Sequence, residues 1–129
     1  MTDAGYSSKP LVEKLGYEPG DSLYSINMPA ELVDYFTNCG VVHTNATEAT
    51  WLHAFFISQQ ALDDFAQNTS FDTIEKGLWL SWPKRASNVP TDLTEQSFRD
   101  TLLPMGWVDT KVAAIDQTWS GLKFLRRRV

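Results

Sequence analysis

Two adjacent cations, Lys84 and Arg85, follow an apolar segment that ends in Trp82 and Pro83. Guanidinium and ammonium groups donate charge-assisted hydrogen bonds to carboxylates and phosphates. A polar loop separates the two cations from Asp92, which begins a helix-like segment. In a parallel sheet, ligands bind outside the carboxyl ends of the strands. The segment therefore predicts a functional edge, provided that residues 78–82 form a strand of such a sheet.

Other residue types that carry chemistry lack the spacing that their chemistry needs. His43 and His53 have no second Cys or His at a metal-ligand spacing, so no metal site is predicted. His53 lies within an apolar run and is expected to be a hydrogen-bonded core histidine. Cys39 is the only cysteine, which excludes an intrachain disulfide. No G-x-S-x-G elbow and no phosphate-binding loop occurs, so no catalytic residue is predicted.

The composition predicts a soluble, folded chain. Of the 129 residues, 43% are hydrophobic and 12% are aromatic, which suffices for one packed domain over residues 1–129. The net charge of −5 argues against binding to nucleic acid or to an anionic membrane. The arginines at 126–128 are expected to form a solvated strand end. Without a signal-like or membrane-length apolar run, the expected location is cytoplasmic.

The spacing of the apolar residues alternates between helix-like and strand-like segments. Short helices are predicted at residues 10–15, capped by Ser8, and at residues 29–38, and a third helix follows Ser58. Asp92 and Glu95 have capping-box spacing, which predicts a helix that begins near Asp92. The predicted strands are residues 22–28, 41–44, 51–57, 78–82, 109–115 and 121–126. Because 51–57 and 78–82 are almost continuously apolar, the pattern predicts an α/β sandwich with a mainly parallel sheet.

Two stretches resemble known families. The opening segment KPLVEKLGYEPGDSLY resembles the start of Rossmann-like methyltransferases. From Gly77 onward the chain resembles an uncharacterised bacterial family of unknown function, on residues 82–84, 90–94 and 116–124. This resemblance implies a truncated methyltransferase-like fold: a three-layer Rossmann-like sandwich with a six-stranded sheet. It also implies the strand order 2-1-3-4-6-5 with an antiparallel sixth strand, and it implies no activity.

The features with which that fold binds a nucleotide are missing from the sequence. The turn after the first strand needs glycines, but residues 26–30 contain none, and Pro29 removes an amide donor. The second strand should end in an acidic residue, but it ends in Thr44 and Asn45. After the third strand, Ser-Gln-Gln at 58–60 stands where amino-methylating enzymes carry Asn/Asp-Pro-Pro-aromatic. No cofactor, and no binding of adenosylmethionine, is therefore predicted.

The connection between the last two strands is expected to meet the two cations in space. The fifth strand runs parallel to the fourth in the implied topology, so both strands end at the same edge of the sheet. The start of the helix at Asp92 is expected to point there too. The predicted ligand- or partner-binding edge comprises Trp82, Lys84, Arg85, Asp92, Asp116, Thr118, Trp119 and Ser120.

Three interpretations of this edge remain open. In a purely structural one, Lys84 or Arg85 pairs with Asp116, Trp119 covers the end of the sheet, and Asp92 caps a helix. In the second, the two cations attract a small anion, with a stacking face from Trp119.

In that second interpretation, the hydroxyl donors to the anion are Thr118 and Ser120. In the third, exposed Trp82 and Trp119 anchor a protein partner. For the whole chain, the leading hypothesis is a non-catalytic, degenerate methyltransferase-like domain that acts by binding. The alternatives are an enzyme or sensor for a small anionic or nucleotide ligand, and a homo-oligomer paired through an edge strand.

Overall fold

A computed structural model describes residues 9–127. Ser8 and Arg128, which carry a predicted helix cap and part of a predicted strand end, lie outside these residues. The helices are α1 (Leu11–Leu15), α2 (Ala30–Asn38), α3 (Gln59–Asn68) and α4 (Glu95–Leu102). The strands are β1 (Ser22–Ile26), β2 (Val42–His43), β3 (Trp51–Phe55), β4 (Gly77–Pro83), β5 (Trp107–Ala114) and β6 (Trp119–Arg126). None of the helices within residues 9–127 is long and apolar enough to cross a membrane.

The strands form one six-stranded sheet in the order β2-β1-β3-β4-β6-β5, which confirms the expected order. The sheet is mixed, however, so its description as mainly parallel is only partly correct. The pairings β1–β2, β1–β3 and β3–β4 are parallel, whereas β4–β6 and β6–β5 are antiparallel. The antiparallel half arises because only a short turn joins β5 to β6, and a parallel connection needs a dozen or more residues.

Helices cover both faces of the sheet, which gives the expected three layers. On one face, α3 and α4 bury Leu62, Phe65 and Phe98 against the side chains of β3, β4 and β6. On the other face, α1 and α2 bury Leu15 and Phe36 against β1, β3 and β5. Because β3 and β4 are covered on both faces, every residue of these two strands is buried.

Helix α4 begins later than the sequence predicts. Its first residue is Glu95 and its N-cap is Thr94, so the prediction of a start near Asp92 is wrong. The main-chain N–H of Thr94 donates to Ser97 Oγ at 3.0 Å, a contact with the same three-residue spacing as the predicted Asp92 and Glu95 pair. Asp92 is engaged elsewhere, and the Glu95 carboxylate is paired with Arg99 at 2.7 Å. The cap formed by Thr94 and Ser97, rather than the predicted cap of Asp92 and Glu95, therefore sets the start of α4.

Candidate functional site

The carboxyl end of β4 meets the β5–β6 connection, as the sequence predicts. Pro83, the last residue of β4, lies opposite Trp119 in the antiparallel register, and Trp82 lies opposite Ser120. The main-chain N–H of Lys84 donates to the carbonyl of Thr118 at 2.7 Å. Two segments that are distant in sequence are thus joined at one edge of the sheet.

The two cations at this edge have unpaired side chains. Lys84 is half-buried and Arg85 is exposed, and neither charged group has a hydrogen bond or ion pair within residues 9–127. The predicted ion pair with Asp116 is not formed there. Instead, one carboxylate oxygen of Asp116 accepts hydrogen bonds from the main-chain N–H groups of Thr118 and Trp119, both at 2.8 Å. Asp116 is therefore a turn residue, and neither cation has an ion-pair partner within residues 9–127.

Trp82 and Trp119 lie on opposite faces of the sheet. Trp82 packs against Phe98 of α4 with a centroid distance of 5.1 Å and is only 7% exposed. Trp119 is half-buried and contacts Phe55 edge-on, 5.0 Å away, on the α1–α2 face. Neighbouring side chains along a strand point to opposite faces, and Trp119 is opposite Pro83 rather than Trp82. A single binding patch centred on both rings is therefore not formed, and Trp82 is not an exposed anchor.

The predicted hydroxyl donors are divided in the same way. Ser120 lies opposite Trp82 and shares its face of the sheet, whereas Trp119 belongs to the other face. Thr118 contributes its main-chain carbonyl to Lys84. The predicted anion site of two cations, two hydroxyls and the Trp119 ring is thus not assembled on one face.

Asp92 caps a helix, but not the helix that follows it. Its carboxylate accepts a hydrogen bond from the main-chain N–H of Gln59, the first residue of α3, at 2.8 Å. Ser58 Oγ accepts from the N–H of Ala61 at 3.1 Å at the same helix end, so the predicted cap at Ser58 is confirmed. The loop after β4 is thereby fixed against α3.

A cleft of about 650 Å³ opens between this loop and α4. It contains three of the predicted edge residues, Trp82, Arg85 and Asp92. The remaining lining residues were missed by the sequence analysis: Pro83, Val89, Thr91, Leu93, Thr94, Glu95, Gln96 and Arg99. The spacing of Glu95 and Arg99, one helical turn apart, is the sequence signal that could have placed a charged pair here.

Arg99 is the cation of the cleft that forms ion pairs. Its guanidinium contacts Glu95 at 2.7 Å and Asp109 at 2.9 Å. These two carboxylates raise the pKa of Arg99 above its ordinary value, with Asp109 the larger cause. The side chain therefore links α4 to β5.

A buried polar chain crosses the other face of β3 and β4. The ring nitrogens of His53 are hydrogen-bonded to Tyr17 Oη at 3.0 Å and to Ser81 Oγ at 2.8 Å. His53 and Ser81 are both 0% exposed, and burial lowers the pKa of His53 to about 3 and raises that of Tyr17. The prediction of a hydrogen-bonded core histidine is confirmed. Sealed from solvent, the serine cannot reach a substrate as a nucleophile.

Residues 9–127 contain no cluster of three or more His, Cys, Asp or Glu side chains that could hold a metal ion. At the turn after β1, Asn27 is exposed and adopts the left-handed backbone conformation, with φ of 57°. The next residues lead directly into α2, whose N-cap is Pro29. The backbone reversal that glycine makes in nucleotide-binding turns is thus made here by a residue with a side chain.

Comparison with known proteins identifies the fold. No family model matches the chain, and no curated protein matches it in sequence. A SAM-dependent methyltransferase from Aquifex aeolicus is similar in structure, with a TM-score of 0.57 and 9% identity over 88% of this chain and 86% of that one. A protein of the NADB-Rossmann superfamily from Streptococcus agalactiae has a TM-score of 0.53 and 8% identity over 95% of this chain and 70% of that one. These likenesses show a methyltransferase-like Rossmann fold and nothing about activity.

Proposed function

We propose that this chain is a methyltransferase-like domain that acts by binding and does not transfer methyl groups. The observation that carries the proposal is the turn from β1 to α2, residues 26–30, which contains no glycine. At this turn the Rossmann fold brings main-chain amides against a nucleotide. Here the exposed side chain of Asn27 occupies the turn, and Pro29 has no amide hydrogen to offer.

Two further places at the same edge support the proposal. After β2, the Asn45 side-chain oxygen accepts hydrogen bonds from the main-chain N–H groups of Thr47 and Glu48, both at 3.1 Å, so it serves its own turn. After β3, Ser58 caps α3, and the side chain of Gln59 donates to Asp63 at 3.0 Å. The polar side chains at these two places therefore make their hydrogen bonds within their own turn or helix.

Thermal unfolding with adenosylmethionine and adenosylhomocysteine tests the proposal. A ligand at one hundred times its dissociation constant stabilises a protein by about 2.7 kcal/mol, which raises the melting temperature of a domain of this size by several degrees. We expect no rise with either compound, while an active methyltransferase measured in parallel shows one. A saturable rise, or methyl transfer from labelled adenosylmethionine to any acceptor, would overturn the proposal.

A second candidate is an enzyme or sensor for a small anionic or nucleotide ligand at this edge. The observation that favours it is the unpaired charge of Lys84 and Arg85. The same unfolding experiment with nucleoside phosphates tests it, because the stabilisation should be lost in Lys84→Ala and Arg85→Ala. Stabilisation that both variants retain would eliminate this candidate.

A further inference from the structure

We infer that the cleft between the β4–α4 loop and α4 binds a small organic acid with one negative charge and an apolar body. The inference deepens the proposed function, on which it rests, by naming a place and a ligand class. The volume of about 650 Å³ falls within the range of small-molecule sites, about 300–1,000 Å³.

The cleft provides an apolar surface for the body of the ligand. Trp82 and Leu93 are 7% and 5% exposed, and Pro83 is also buried. Val89, on the loop, is 36% exposed and adds an apolar side chain to the lining of the cleft. Covering Val89 and the remaining open faces of these residues removes apolar area from water, which favours a hydrocarbon or aromatic body.

Arg85 provides the positive charge. It lines the cleft, is exposed, and has no ion pair or hydrogen bond at its guanidinium within residues 9–127. Arg99 lines the same cleft but is held by Glu95 and Asp109. A carboxylate is the natural partner of a free guanidinium, because the two groups form paired, charge-assisted hydrogen bonds.

The indole nitrogen of Trp82 is a second donor. The Trp82 side chain is more than nine-tenths buried, and its Nε1–H has no hydrogen-bond partner in the described part of the chain. Every fully buried side-chain nitrogen or oxygen of that part has a partner. The indole nitrogen must therefore reach the surface, and the cleft is the surface that Trp82 lines.

The start of α4 adds main-chain donors. Glu95 and Gln96 both line the cleft and are the first two residues of the helix, whose N–H groups lack intrahelical partners. Neither N–H has another main-chain partner within residues 9–127, whereas the N–H of Ser97 donates to Thr94 at 3.1 Å. The helix dipole also favours a negative charge at this end.

The carboxylates of the cleft limit the charge that it accepts. Asp92 and Glu95 offset the charges of Arg85 and Arg99, so the lining is neutral overall. A phosphate dianion or a nucleotide would meet these two carboxylates with too few free cations. A single carboxylate, placed beside Arg85 and away from Asp92, avoids that repulsion. The ligand class is therefore a monocarboxylic acid with an apolar body.

Two-dimensional ¹H–¹⁵N NMR of the whole protein tests the inference, with 4-phenylbutyrate as the probe. Two control ligands are measured in the same way: 4-phenyl-1-butanol, which has no charge, and ADP, which has several negative charges. We expect saturable shifts of the Trp82 indole signal and of the Glu95 and Gln96 amides with 4-phenylbutyrate. The Trp82 signal is assigned from the spectrum of Trp82→Phe, or by triple-resonance experiments if that variant does not fold.

The exposed position of Arg85 provides the decisive variant. Arg85→Gln should weaken 4-phenylbutyrate binding by about ten- to a hundred-fold, as expected for the loss of hydrogen bonds to a charged group. Arg127→Gln, the matched control, changes an exposed arginine that does not line the cleft and should leave the affinity unchanged. The alcohol and ADP should bind more weakly than the acid.

Several results would overturn the inference: no saturable shift at these signals, equal affinity in Arg85→Gln, or tighter binding of ADP. None of these results would contradict the proposal that the chain binds without transferring methyl groups. That proposal is tested by the adenosylmethionine experiment. Conversely, adenosylmethionine binding would be followed at signals of the turn after β1, residues 26–30. The two failures are therefore distinguishable in the same spectra.

Discussion

The carboxylate of Asp92 accepts a hydrogen bond from the main-chain N–H of Gln59 at 2.8 Å, although the two residues are 33 positions apart. Asp92 belongs to the loop that forms one wall of the cleft, and Gln59 is the first residue of α3. The contact satisfies an amide at a helix start and places a negative charge where the helix dipole favours it. One side chain thus couples the stability of α3 to the position of the cleft wall.

Replacing Asp92 by alanine should lower the free energy of unfolding by about 1 kcal/mol, the usual cost of losing a helix cap. Urea unfolding of the purified variant measures it. Asp100→Ala is the matched control, because within residues 9–127 the Asp100 carboxylate accepts only from Gln96 Nε2, at 2.8 Å. Such an exposed pair contributes about 0.2–0.5 kcal/mol. Equal losses in the two variants would contradict the role assigned to Asp92.

Asp116 should also prove structural. One oxygen of its carboxylate receives the N–H groups of Thr118 and Trp119, and this turn sets the register of β5 and β6. We expect Asp116→Ala to lower the free energy of unfolding by about 1 kcal/mol. Asp116→Asn keeps an acceptor oxygen and should therefore lose only a small part of that free energy. Thermal and urea unfolding distinguish the two.

The same pair of variants separates a turn residue from a ligand residue. If Asp116 acts only in the turn, both variants bind 4-phenylbutyrate as the parent chain does, since Asp116 does not line the cleft. Loss of binding in Asp116→Asn with unchanged stability would show instead that its charge faces a ligand.

Much of the sheet could be predicted from local pattern. Residues 51–57 and 78–82 are almost continuously apolar, which predicts burial on both faces, and the structure buries every residue of β3 and β4. The strand order came from the resemblance to methyltransferases and is confirmed. The convergence of Lys84 with Thr118 then follows, because strands that run in the same direction end at the same edge.

The candidate site was less predictable, since it depends on competition between contacts distant in sequence. The sequence pattern pairs Asp92 with Glu95, three residues later. The Asp92 carboxylate instead accepts a hydrogen bond from the main-chain N–H of Gln59. Trp82 and Trp119 lie at neighbouring ends of β4 and β6, but only the pairing register of these strands shows that they occupy opposite faces. A one-residue difference in register changes the face of a side chain, and no single-sequence pattern fixes it.

The buried histidine predicts how stability depends on pH. Desolvation holds the pKa of His53 at about 3 in the folded chain, whereas an unfolded chain has an ordinary histidine pKa near 6.5. Below that ordinary value the unfolded state binds a proton that the folded state does not, so stability falls as the pH falls from about 6.5 toward 3. Between pH 7 and pH 5 the loss from this group is about 2 kcal/mol.

Urea unfolding at pH 7, 6 and 5 measures that loss, and His53→Gln isolates it. The variant should be less stable at pH 7, because Tyr17 and Ser81 lose an ideal partner in a dry interior. Its stability should nevertheless decline less than that of the parent chain between pH 7 and pH 5, since the proton uptake on unfolding is gone. A parent chain with no steeper decline than His53→Gln would mean that His53 titrates in the folded state, and hence that water reaches the Tyr17–His53–Ser81 chain.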